Sequence, residues 1–333
     1  MSVWSFRQPK SRYLNKGIFI SLLGLALLLI SPRHLAAVEP SSSVMGHDGT
    51  ADKNKDSNGE QNALPQVTVE ARRKAIEKQA YDFVRKATQN PRFRDESLPR
   101  WNVPLCFAVG GLPSNEGLYA IGRLRDIARG AGARVAQGRC KYNFIVVFAA
   151  EPDQLLKKAF RRQPRALDRC QGMQEIENFV SPSKPQPIRV WHNTRLFSHD
   201  GTPIGSNLDC GSIGVDKGDF PISPQYSPSR LERYDVFAFS LAVVIVDTAY
   251  RNPLKLGQLV DYAAMVGLAD IAPESDLGET PSILRIFGQP ADQQASGLTR
   301  WDEAFLSALY HSDQANVTQR SQIADKMSHD ILP

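Results

Sequence analysis

The chain has 333 residues, 42% hydrophobic and 23% charged, the make-up of a folded domain or two and not of a tail, a coiled coil or a multi-pass membrane protein. Its 40 basic and 35 acidic residues give +5, but Arg7, Lys10, Arg12, Lys16 and Arg33 all precede Glu39, the first acid, and without those five the balance is even. A neutral folded part is poorly suited to a phosphate backbone, so nucleic acid is not an expected partner.

Residues 1–37 read as an export signal: a basic, polar start, the uncharged run Gly17–Ile30, then Pro32, Arg33 and the small pair Ala36 and Ala37. Fourteen helical residues rise only about 21 Å against a hydrocarbon core of about 30 Å, so a cleaved signal peptide fits better than a spanning anchor. His34 or Leu35 stands where a cleavage site prefers a small residue, which leaves an uncleaved N-terminal anchor open. Either way the expectation is an exported protein of the periplasm or cell envelope. Membrane contact is then confined to the N-terminal segment, if that segment is retained. Residues 38–65 are Ser, Asn, Asp, Gly and Lys with almost no large apolar side chain, and read as a flexible linker.

The folded part begins with a helix over 67–89, whose apolar Ile76, Ala80, Phe83 and Ala87 recur at helical spacing. Val103–Val109 predicts a strand. A helix capped by Ser114 follows, carrying Leu118, Ile121, Leu124 and Ala128 inward, and then a buried strand over Tyr142–Ala149. That makes a strand, helix, strand unit with parallel pairing. Glu151–Arg162 predicts a short helix whose Lys157, Lys158, Arg161 and Arg162 form a solvated face or meet an anionic envelope surface. A strand over Ile188–Asn193 comes next, and the Gly-, Ser- and Pro-rich stretch 198–229 reads as a functional loop or covering flap. Val236–Val246 is the strongest strand signal and belongs at the sheet centre. Helices are expected at about 255–269, 282–287 and 299–311, and residues 313–333 as a C-terminal tail.

Four cysteines, Cys106, Cys140, Cys170 and Cys210, lie in the folded part, an even number that suggests two disulfides in an exported chain. Three connectivities are open. Cys106 and Cys140 each stand at a predicted strand with one crossover helix between them, which favours pairing these two with each other and Cys170 with Cys210.

Gly130-Ala-Gly132 follows a helix and precedes a strand, the reverse of a dinucleotide-binding context, and no nucleophile elbow or phosphate-binding loop occurs. No cofactor is expected. The informative stretch is 258–310. Gln258-Leu-Val-Asp-Tyr-Ala-Ala-Met-Val-Gly-Leu-Ala-Asp270 resembles the active-site helix of the zincin metallopeptidases, with Val260 and Ala264 in place of the two zinc-binding histidines. In that register Asp261 stands in place of the glutamate, Gly267 matches the glycine and Asp270 the third ligand. Pro281-Ser-Ile-Leu284 resembles the Ser-Ile-Met turn of that superfamily, and Leu298–Tyr310 its closing helix.

Order and spacing of the three pieces are similar to an exported bacterial family of unknown function with a degenerate zincin-like region. The resemblance implies a single α+β domain over 66–312, a mixed β-sheet with packed helices, and loss of the zinc chemistry, since valine and alanine cannot ligate metal. The implied function is non-catalytic binding of a peptide, protein or envelope component, with Asp261 and Asp270 as the candidate site residues. The alternatives are a metal-dependent hydrolase using His192, His199, Asp261 and Asp270, and a structural envelope protein that binds a partner chain through the basic helix at 151–162.

Overall fold

The computed structural model describes residues 66–88, 97–162, 167, 173–198, 235–252, 254–272 and 275–332. The leader, the whole of the 38–65 linker, the 199–234 stretch with His199, and Cys170 and Cys210 lie outside the described residues.

Four strands form one mixed sheet: β1 (Phe107–Gly110), β2 (Phe144–Ala149), β3 (Ile188–Ser198) and β4 (Asp235–Asp247), in the order β1-β2-β4-β3. β1 runs parallel to β2 with Phe107 opposite Phe144, as the strand, helix, strand reading requires. β2 runs parallel to β4, and β3 closes the edge antiparallel to β4 with a register irregularity at Asn193 and Thr194. β4 is interior to the sheet and buries alternate residues in a core on each face, which explains its near-continuous hydrophobic run.

Alternation along the strands divides the core. Phe107, Phe144, Val146, Phe148, Ala242 and Val244 face α2 (Ser114–Gly130) and α5 (Leu256–Leu268), while Ile145, Val147, Trp191, Val243 and Ile245 face the other way. That second face is covered by α3 (Pro152–Arg162) and α4 (Met173–Val180) through Leu156, Ile176 and Phe179. Asp153 of α3 pairs with the buried Arg189 of β3, whose guanidinium also donates to the Phe179 and Val180 carbonyls at the end of α4. The four cations of α3 are exposed.

On the first face, α1 (Gln66–Ala87), α6 (Arg300–His311) and α7 (Gln319–Ile331) extend the core, with the Phe83 ring 5.7 Å from Phe305 and 6.1 Å from Trp301. Here the expected C-terminal tail is corrected. Residues 319–331 of that stretch form α7, whose Ile323, Ala324 and Met327 lie on one side of the helix and are buried in the same core as α1.

Further corrections concern phase. Leu124 and Ala128 of α2 are buried as expected, but Leu118 is 70% exposed and Ala120 packs inward in its place, and Pro113, with no side-chain cap, stands at the N-cap in place of Ser114. The expected helix at 282–287 is a single tight turn, Ile283–Arg285.

Cys106 and Cys140 form a disulfide with Cα atoms 6.0 Å apart. It ties the entrances of β1 and β2 around α2. Asn143 reinforces the same corner: its Oδ1 accepts from the Cys106 N–H at 2.7 Å and its Nδ2 donates to the Pro104 carbonyl at 3.0 Å. Among the described residues no helix is long and apolar enough to cross a membrane.

Candidate functional site

α5 is buried on nearly every side, as its mostly apolar sequence demands, and its two buried polar residues, Gln258 and Asp261, each have partners. Its start is held by Gln258, whose Oε1 accepts from the Lys255 N–H at 2.9 Å while its Nε2 donates to the Ala295 carbonyl at 2.7 Å. At its end the last carbonyls would be orphaned without side-chain donors. Trp101 Nε1 donates to the Gly267 carbonyl at 2.9 Å and the Tyr310 hydroxyl to that of Leu268 at 2.9 Å.

The direction of each face follows from what lies against it. A Cβ on Gly257 would sit 3.0 Å from the Tyr119 hydroxyl of α2, and one on Gly267 would sit 2.2 Å from Cζ of Phe144 in β2. Helical geometry places Val260 and Ala264 in the sector between these two directions, the seam of α5, α2 and the sheet. They are 2% and 0% exposed. Gly267 is required here because any side chain would enter the fully buried Phe144 ring.

Asp261 projects toward α2. Arg123 holds it with a fork, Nε to Oδ1 and Nη2 to Oδ2, both at 2.6 Å, and the Leu298 N–H donates to Oδ2 at 2.8 Å. The carboxylate side chain is 1% exposed and that of Arg123 is 40% exposed. The hydrogen bonds to Asp261 raise the Arg123 pKa, with burial opposing. Gly297 completes the arrangement, since a Cβ there would lie 2.6 Å from Oδ2. Asp270 lies beyond the helix end, half-buried and engaged in an interaction of its own.

The turn and the closing helix meet at Asp302, which is fully buried. Its Oδ1 accepts from the Ser282 hydroxyl at 2.5 Å, and its Oδ2 accepts from the Ile283 and Thr299 N–H groups at 2.8 and 2.9 Å. Burial holds the Asp302 carboxyl above the ordinary carboxylate range, while the hydrogen bonds from Ser282, Thr299 and Ile283 pull it down. Tyr262 of α5, packed edge-on against Phe287 at 5.1 Å, is pushed up to about 12 by burial. The three segments of the 258–310 stretch thus form one packed unit joined by buried carboxylates.

Zinc requires imidazole, thiolate or carboxylate ligands converging on one point. Val260 and Ala264 supply hydrocarbon and Asp261 is already bonded on both oxygens, so these residues do not fit the ion. His192 is buried too, stacked on Phe239 at 4.1 Å with its Nε2 3.4 Å from the Gly267 carbonyl. Among the described residues no group of three or more His, Cys, Asp or Glu is arranged to hold a metal ion.

Sequence reasoning missed Arg123, Trp101 and Arg100, the last of which caps the end of α6 by donating to the carbonyls of Leu309, Tyr310 and Ser312. One signal was present for Arg123. It lies at the edge of the packing face of α2, flanking Ala120 and Leu124, where an arginine that borders the core needs a partner. No protein-family model, curated protein or solved structure matches this chain.

Proposed function

We propose that the chain is an exported, non-catalytic zincin-like domain that binds a peptide or a cell-envelope component. The observation that carries the reading is the state of Asp261. A carboxylate that activates water must turn an oxygen toward the substrate. Both oxygens of Asp261 are instead taken up by Arg123 and the Leu298 N–H, inside a helix pair. The neighbouring Val260 and Ala264 have no donor atoms to offer a metal. The packing of α5, the Pro281–Ile286 turn and α6 on one another supports the zincin-like grouping, because the resemblance rests on those three segments. Export rests on the leader pattern of residues 1–37.

Metal analysis and peptidase assay of the purified protein test the reading. No stoichiometric zinc and no chelator-sensitive peptidase activity are expected. Stoichiometric zinc would overturn the non-catalytic assignment. For export, the mature chain is expected to start near Val38 outside the cytoplasm, and mass spectrometry showing an intact Met1 in a soluble cytoplasmic fraction would refute it.

A further inference from the structure

α2, the first turns of α6 and the end of α7 enclose an open cavity of about 540 Å³, within the size range of small-molecule sites. Its lining includes the apolar Ile127 and Leu298 and the charged Arg123, Arg300, Glu303 and Asp330. Asp126 also lines it but is 3.3 Å from Arg129, which offsets its charge.

Both arginines are held in place by bonds that leave part of each head unused. Arg123 gives two of its five N–H donors to Asp261, so three remain on its exposed side. Arg300 donates through Nε and Nη2 to the Asp330 carbonyl and through Nη2 to that of Leu332, with no bond from Nη1 to any described residue. Glu303 and Asp330 form no ion pair among the described residues.

Two oriented guanidinium heads and two carboxylates therefore face one partly apolar space. A simple anion meets Glu303 and Asp330, and a simple cation meets Arg300. A molecule carrying both signs satisfies both sets. We propose that this cavity binds a zwitterionic ligand, an α-amino acid or short peptide with both termini free, its carboxylate on Arg123 and Arg300 and its ammonium on Glu303 and Asp330. Fixed guanidinium forks suit carboxylate recognition because less side-chain freedom is lost on binding.

The inference does not depend on the zincin-like reading. Metal analysis tests that reading, and ligand titration tests this one. Purified full-length protein would be titrated calorimetrically with alanine, leucine, Ala-Ala, Ala-Leu and Leu-Ala, and with the N-acetyl and C-amide forms of each. The expected result is binding of free ligands with at least a tenfold loss for either blocked form. The amino acids and the dipeptides, run separately, show which of the two sources the cavity takes. Glu303→Gln should weaken the free ligands about tenfold and abolish discrimination against the N-acetyl forms. Arg300→Gln should do the same for the C-amides. Glu303 and Arg300 are exposed, and a cooperative melt confirms that each variant is folded, with a lower midpoint expected for Arg300→Gln because it loses the bonds to the end of α7. No binding by any of the panel at millimolar concentration, or equal binding of free and blocked forms, overturns the proposal.

Discussion

Removing either partner of the Arg123–Asp261 pair should destabilise the protein, and unequally. Arg123→Ala leaves a carboxylate that is 1% exposed with only the Leu298 N–H for company. Breaking a fully buried pair costs about 3 to 5 kcal/mol, and the lower end applies here because Arg123 lines the open cavity and its removal lets some water reach the carboxylate. Asp261→Ala leaves an arginine whose side chain is 40% exposed and can turn outward, so solvent offsets much of its loss. The half-buried Leu298 N–H then lacks its acceptor, which costs about 1 to 3 kcal/mol. The expected total for Asp261→Ala is therefore about 2 to 3 kcal/mol, below that of Arg123→Ala. The double variant should fall short of the sum by at least about 1 kcal/mol, since the charge stranded by one change is removed by the other. Equilibrium urea unfolding of the wild type, both singles and the double closes the cycle. An Asp261→Ala protein as stable as the wild type, or more stable, would refute the reasoning. That is the behaviour of a carboxylate kept for activity at a cost in stability.

Replacing Cys106 and Cys140 together opens a loop with a sequence separation of 34, for which chain entropy gives a loss of about 4 kcal/mol; an unfolding midpoint equal to the wild type's would argue against the bridge. Gly267→Ala drives a methyl to 2.2 Å from the Phe144 ring and should cost about 1 to 3 kcal/mol by thermal melting, part of it recovered by adding Phe144→Leu. If the single change melts with the wild type, the close approach of α5 to β2 is wrong. Asp302 sets a pH dependence. Its folded-state pKa lies above the ordinary 3.8, so the folded chain binds that proton more tightly than the unfolded one. The contribution of this group is then greatest below 3.8 and is lost as pH rises toward the raised value. Asp302→Asn should gain in stability relative to the wild type as pH climbs above 3.8, and a constant or falling difference would contradict the sign.

The apolar runs of β2 and β4 are enough to read two strands buried on both faces, because a strand between two covered faces has no polar position to fill. The Cys106–Cys140 bridge was equally legible: parallel strands joined by one helix bring their entrances side by side, so two cysteines just ahead of those strands come within reach. The helix expected at about 255–269 is α5. What periodicity could not supply is direction. The spacing that made Leu118 look internal fits two neighbouring faces of α2, and contact with β1 and α5 selected the one bearing Ala120, Leu124 and Ala128. α7 is mostly polar, and its few apolar residues acquire meaning only when α1 lies against them. Val260 and Ala264 were assigned to a helix, but their turn into the seam with α2 and the sheet depends on Tyr119 and Phe144, which come from other elements. Asp261 illustrates the limit most plainly. Its partner Arg123 is 138 residues away. Helical and strand periods are properties of neighbouring residues along the chain, whereas the partner of a buried charge is decided only when distant segments close on one another and exclude water.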